Sequence, residues 1–140
     1  MFGVVGKPIL FSLSPLLYEN YIRIAADSVK EAIELKNLIG LKGINVTAPF
    51  KEEAYRLATK VSEFASKAQA ANILLFRDTE IFADNSDVDA VINLARNKTG
   101  EALVLGAGGA GRAAKVGLKE LGFNVTVWNR SPKEGTIQST

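Results

Sequence analysis

Neither cysteine nor histidine occurs in the 140 residues. Without cysteine there is no disulfide and no thiolate nucleophile. Without histidine the commonest general acid–base is missing, so any proton-transferring side chain must be Lys, Asp, Glu or Tyr. Zinc sites built from Cys and His are excluded as well, and no metal site is expected. Charge of one sign is also lacking: 17 basic residues against 15 acidic ones leave a net charge of +2, with both signs mixed along the chain. No basic block argues for a nucleic-acid partner. No apolar run approaches the ~18 residues of a membrane span. The opening Met1-Phe-Gly-Val-Val-Gly-Lys7 lacks the charged start and small-residue cleavage site of a leader, so a cytoplasmic protein with no membrane contact is expected.

What is present centres on Ala102-Leu-Val-Leu-Gly-Ala-Gly-Gly-Ala-Gly-Arg112. Ala102 to Leu105 reads as a buried parallel strand. Gly106, Gly108 and Gly111 follow in G-x-G-x-x-G spacing, then a helix over Ala113–Leu121, a stop at Gly122 and a second strand over Phe123–Trp128. This is the context a dinucleotide site needs. Gly106 permits the tight turn, Gly108 admits a pyrophosphate against the backbone, and Gly111 lets helix and strand pack closely. The backbone from Gly106 through Ala107, Gly108, Gly109 and Ala110 to Gly111 would cradle the phosphates at the helix N-terminus. The plainer reading is a glycine-rich βα turn with no ligand. About 20 residues on, where an NAD site carries Asp or Glu, the chain has Asn129-Arg130-Ser131, with Lys133 close behind. An acid there would repel a 2′-phosphate, whereas Arg130 can pair with one, so the expected cofactor is NADP.

The rest of the chain alternates strands and helices, an α/β pattern. Phe2–Val5 reads as a strand. Ser14 as N-cap and Pro15 open a helix, with Leu16, Leu17, Tyr21 and Ile24 at helical spacing. Ser28-Val-Lys-Glu31 fits a capping box for a second helix. Ile44–Thr47 is a strand, Pro49 opens a helix over Phe50–Ala58, and Ser62–Gln69 is a further helix. Ala71–Phe76 and Ile81–Ala83 form a hairpin about a turn at Arg77–Glu80. Ser86 starts a helix to about Asn97, with Val88, Val91, Ile92 and Leu94 available for its buried side, and Asn97–Glu101 is a linker.

Three loops lie at or just beyond strand C-termini, where open α/β sheets bind ligands. They hold Ser12 and Ser14, then Asn45 to Lys51, then Asp84 to Asp87. Each residue has a plainer reading. Ser14 is an N-cap, Lys51 a solvated helix residue, and Asp87 an acid in a first helical turn favoured by the helix dipole.

Taken together these motifs resemble the shikimate dehydrogenase family. The resemblance rests on Gly6-Lys-Pro-Ile-Leu-Phe-Ser-Leu-Ser-Pro15, Asn45-Val-Thr-Ala-Pro-Phe-Lys51, Ala70-Ala-Asn-Ile73, Asn85-Ser-Asp87, Gly106 to Arg112 and Asn129-Arg-Ser131, in the family's order. It implies a substrate-binding α/β domain over 1–98, followed by the start of a Rossmann-type NADP-binding domain over 101–140. Ser12 and Ser14 would bind the substrate carboxylate, Thr47 and Asn72 ring hydroxyls, and Lys51 with Asp87 would be the catalytic pair. The implied reaction is NADP-dependent interconversion of 3-dehydroshikimate and shikimate in aromatic amino-acid biosynthesis, by a monomer or homodimer whose only other partner is the small-molecule substrate. A quinate/shikimate dehydrogenase using NAD and a ligand-binding relative without turnover are the alternatives.

The chain departs from the family at Phe11, where His is common, at Ile73 and Ser86, where Thr is usual, and in having too little chain between Ala26 and Ile44 for a further strand. Residues 101–140 supply only one β-α-β. The expectation is therefore that the family's nucleotide domain is incomplete here, that these 140 residues do not turn over alone, and that Leu103, Val104, Val125 and Val127 present apolar sheet surface to solvent.

Overall fold

The computed structural model describes residues 1–137. In chain order the elements are β1 (Phe2–Val5), α1 (Ser14–Leu17), β2 (Tyr21–Ile24), α2 (Val29–Ile39), β3 (Gly43–Val46), α3 (Lys51–Leu57), β4 (Lys60–Val61), α4 (Glu63–Ala68), β5 (Ile73–Arg77), β6 (Glu80–Asp84), α5 (Ser86–Ala95), β7 (Glu101–Leu105), α6 (Gly109–Glu120) and β8 (Asn124–Trp128). Six strands make one mixed sheet in the order β2-β1-β3-β5-β6-β4, and β7 pairs with β8 in a second, parallel sheet. β1 is parallel to β2 and β3, whereas β5 is antiparallel to β3 and β6. The C-terminal ends of β1, β3 and β6 and the start of β5 therefore share one edge of the sheet. The α/β class is as expected.

The main core lies where α2 and α3 cover the sheet. Val5, Ile24, Val29, Ala32, Ile44, Phe50, Ala54 and Leu74 are among its buried members. α2 is fixed at both ends. The Ser28 hydroxyl accepts the Glu31 N–H at 3.2 Å, and Gly40 closes the helix at φ 66°. The reciprocal half of the capping box is displaced by one residue: Glu31 accepts the N–H of Asp27 at 2.8 Å.

α6 buries two sides. Ala113 joins Ala68, Ala70 and Val88 in a cluster against α4 and α5. Ala114 and Leu118 lie against Val104 and Val127 of the small sheet. One face of that sheet is thus covered, which corrects the expectation of exposure for Val104 and Val127, now 8% and 6% exposed. The open face is that of Leu103 and Leu105, 61% and 73% exposed. Leu94 also points outward at 78%.

The main correction is Tyr21–Ile24. Apolar residues at 17, 21 and 24 fit a helical period, but α1 stops at Leu17 and Asn20 turns the chain at φ 53°. Tyr21-Ile-Arg-Ile then pairs with β1 as a parallel strand, with Arg23 exposed and Ile24 buried. β-Branched and aromatic side chains and tertiary pairing outweigh the local period. Between Ala26 and Ile44 the structure has only α2 before β3 begins at Gly43, so no further strand lies there. Ser14 is not an N-cap: Leu13 holds that position and makes no side-chain cap bond. Pro49 precedes its helix by two residues, with Phe50 at the cap position. α6 starts at Gly109 rather than Ala113, so the glycine-rich turn itself forms its first turn. β4, absent from the sequence reading, is two residues that pair with β6.

α5 and α6 approach each other through Gly117, where a Cβ would sit 2.9 Å from the Val88 carbonyl and 3.0 Å from Val91 Cβ. In an open helix Gly→Ala stabilises by about 1 kcal/mol. Here Gly117→Ala should instead lower the melting temperature, because the added methyl overpacks this contact. Thermal unfolding of the variant checks the sign.

Candidate functional site

Lys51 begins α3, immediately after the turn that leaves β3, and Asp87 lies in the first turn of α5, immediately after β6. The shared sheet edge brings them together. Lys51 Nζ is 2.5 Å from Asp87 Oδ2, with side-chain exposures of 15% and 33%. The other carboxylate oxygen, Oδ1, accepts from Asn72 Nδ2 at 2.9 Å. Asn72 sits just before β5, on the same edge, and its Oδ1 accepts the Ser86 N–H at 2.9 Å. Both oxygens of Asp87 are thus held, one by an ammonium and one by an amide.

Asn85 underlies this arrangement. It is fully buried at 0% exposure and is the N-cap of α5: its Oδ1 accepts the Asp87 N–H at 3.1 Å, and its Nδ2 donates to the Ala70 carbonyl at 2.7 Å. In the sequence Asn85 stands out only as part of a motif. A signal for this role is nevertheless there, since an Asn directly before a helical Ser-Asp is a favoured cap.

Ser12 and Ser14 lie together after β1, with their hydroxyls 3.3 Å apart. Arg23 fixes this loop: its Nε and Nη2 donate to the Ser12 carbonyl at 3.0 and 2.6 Å. Tyr21, whose spacing suggested a helix, joins the two halves of the site. Its hydroxyl donates to Asn45 Oδ1 at 2.5 Å, and Asn45 Nδ2 donates to the Asn72 carbonyl at 3.3 Å. Burial, then the neighbouring Tyr18, hold the Tyr21 hydroxyl above the ordinary phenol range, opposed by its hydrogen bonds with Asn45 and Ser14. Thr47 is on the β3 turn, its methyl against Gly6.

The glycine-rich turn behaves as its spacing implies. Gly106 takes φ 102°, and a Cβ at Gly111 would collide with the Gly106 carbonyl. Gly108, the cap residue of α6, faces open space. Asn129 braces the turn: its Oδ1 accepts the Ala107 N–H at 3.0 Å and its Nδ2 donates to the Ser131 carbonyl at 2.7 Å. Arg130 follows directly, at the end of β8. A cavity of about 650 Å³ lies elsewhere, between the end of α4, α6 and residues 133–136. It meets the turn at Ala107, Gly111 and Arg112 but includes neither Lys51 nor Asp87. The described residues contain no His/Cys/Asp/Glu group that would hold a metal, and no helix long and apolar enough to cross a membrane.

A profile of the shikimate dehydrogenase substrate binding domain matches residues 18–74. A relative from Syntrophobacter fumaroxidans, named shikimate dehydrogenase (NADP(+)), is 35% identical over 96% of this chain and 52% of its own length. A second, from Aquifex aeolicus and of the same name, is 34% identical over 99% of this chain and 57% of its own length. The chain belongs to the shikimate dehydrogenase family. It spans about half the length of the curated relatives it matches. Its fold follows family members: shikimate 5-dehydrogenase from Thermus thermophilus in complex with shikimate superposes with a TM-score of 0.76 at 31% identity, covering 96% of this chain and 57% of that one. A structure of the Thermus protein in complex with NADP(H) and shikimate gives 0.73 at 27% identity, covering 99% and 62%. The S. fumaroxidans alignment runs over 149 positions, more than the 140 of this chain, so the relative carries residues that are missing here.

Two tests follow from the site's construction. Asn85→Ala removes the cap and strands the buried Ala70 carbonyl, which should cost about 1–3 kcal/mol in chemical denaturation. For Tyr21, a folded pKa raised above the unfolded value means that the associated stability is complete at pH below about 10 and is lost as pH rises through the folded value. Melting temperatures of the parent should therefore fall on the alkaline side more steeply than those of Tyr21→Phe. Parallel curves would contradict the assignment.

Proposed function

We propose that this chain serves the NADP-dependent, reversible reduction of 3-dehydroshikimate to shikimate. The observation that carries the reading is the Lys51–Asp87 pair at 2.5 Å on the sheet edge, with Asn72 on the second carboxylate oxygen. In a chain without histidine, this is an acid–base pair of the type left available. Residues 1–98 act as the substrate-binding and catalytic unit, and 101–140 as part of the nucleotide-binding unit.

Ser12 and Ser14 bind the substrate carboxylate, on a loop that Arg23 holds in place. Thr47 and Asn72 bind ring hydroxyls. In the reductive direction Lys51 gives a proton from its ammonium to the carbonyl oxygen as that oxygen becomes a hydroxyl, and in the oxidative direction it takes the proton back. Asp87 balances the ammonium and aims it, while Asn72 and Asn85 aim Asp87. The dinucleotide, when bound, supplies or accepts the hydride at the reacting carbon. The chain's own residues suit it. The open backbone at Gly108 leads into a helix N-terminus, no acid stands in the first turn of α6, and Arg130 stands where an acid would repel a 2′-phosphate. Ala107, Gly109, Ala110 and Gly111 complete the turn, and Asn129 and Ser131 frame it. Arg130 in place of an acid weighs against the alternative that uses NAD. A cytoplasmic monomer or homodimer with a small-molecule substrate goes with this reading.

In an active preparation Lys51→Ala should lower turnover by ~10²–10⁴-fold, and a double change with Asp87→Asn should cost little more than the worse single one. Fully additive losses would argue against a shared proton transfer. Arg130→Ala should weaken NADP far more than NAD when both are titrated by calorimetry; equal losses would overturn the cofactor assignment.

A further inference from the structure

The four glycines of the turn do not share one job. Gly106 adopts a positive φ, Gly111 makes room for the Gly106 carbonyl, and Gly108 has nothing within 4 Å of where its Cβ would be. Gly109 is different. It is the first residue of α6, and its φ is not among the positive ones, so its backbone does not require glycine. A Cβ there would sit 2.7 Å from Lys51 Cβ, 3.2 Å from Cδ and 3.4 Å from Cγ. The stem of the lysine lies directly on the glycine.

We infer that Gly109 is a positioning residue for Lys51: it is glycine so that the first turn of α6 can seat the lysine's stem and hold its ammonium on Asp87. This rests on the proposed role of Lys51. The collision would involve Cβ, which moves only with the backbone of α3, and that backbone is tied down. The Lys51 carbonyl accepts the Ala71 N–H at 2.8 Å, and Ala54 N–H bonds to the Phe50 carbonyl at 2.9 Å. A second contact keeps the two helix starts in register. Arg112, one turn along α6, meets Glu52, the neighbour of Lys51, at 3.2 Å. The phosphate-facing turn and the proton-donating lysine are therefore one packed unit, with Gly108 turned to open space and Gly109 turned to the lysine. A methyl at 109 drives the two helix starts apart and moves Nζ from its 2.5 Å contact with Asp87.

The test uses the chain as it stands and does not depend on turnover. The ε-ammonium of Lys51 is followed by ¹H–¹⁵N correlation, assigned by its loss in Lys51→Arg, and NADP affinity is measured by calorimetry. Gly109→Ala should shift the Lys51 signal and hasten its exchange with water. Gly108→Ala should leave that signal unchanged and weaken NADP by more than tenfold. To keep the test decisive if Gly109→Ala fails to fold, Lys51→Gly and the double variant are melted beside it. Alanine at 109 should lower the melting temperature when Lys51 is present and should not lower it when residue 51 has no Cβ. An unaltered Lys51 signal in folded Gly109→Ala, or an equal loss of melting temperature in both backgrounds, overturns the inference. If the parent chain binds neither NADP nor shikimate, the functional reading fails, while the signal and the melting cycle still decide whether Gly109 positions Lys51.

Discussion

The Lys51–Asp87 ion pair stands where three parts of the chain meet, and main-chain and capping bonds tie each part to the next. Lys51's carbonyl takes the N–H of Ala71, Asn72's N–H goes to the carbonyl of Asp84, and Asn85 caps Asp87 while gripping Ala70. The pair itself adds little to stability. With Asp87 a third exposed, a contribution of about 0–1 kcal/mol is the ordinary expectation. The fold thus uses buried hydrogen bonds to place two charges that contribute little to holding it together. Asn85, the buried polar residue among the described ones, is where those bonds are concentrated.

The sheet makes this placement possible. β1 and β3 run parallel while β5 returns antiparallel, so loops after two strands and the start of a third converge on one edge. α5 then passes from that edge to pack on α6, and the glycine-rich turn at the start of α6 arrives against α3. Small residues set these distances: Gly117 between α5 and α6, and Ala113 among Ala68, Ala70 and Val88.

Much of this was legible in the residue string because it is local. Gly106, Gly108 and Gly111 encode a turn whose geometry follows from the spacing, and Ser28 and Gly40 mark helix ends by short-range hydrogen bonding. Lys51 and Asp87 stand out by type and by their place after strands. Tyr21–Ile24 was not legible, because an apolar period of three to four and one of two coincide over four residues; only pairing with β1 decides between them. The link from Tyr21 through Asn45 to Asn72 was hidden for the same reason, as was the brace of Arg23 on Ser12. Gly109 against Lys51 joins residues far apart in the chain, and no local pattern reports such a contact.

The central claim is that the sheet edge carrying Ser12, Ser14, Thr47, Lys51, Asn72 and Asp87 receives the substrate. The most direct measurement is an amide chemical-shift map of the isotopically labelled chain as shikimate is added. The predicted result is saturable shifts confined to the loops after β1 and β3, the residues just before β5 and the first turn of α5. Shifts gathered around the cavity between α4, α6 and residues 133–136, with the sheet edge unmoved, would contradict it.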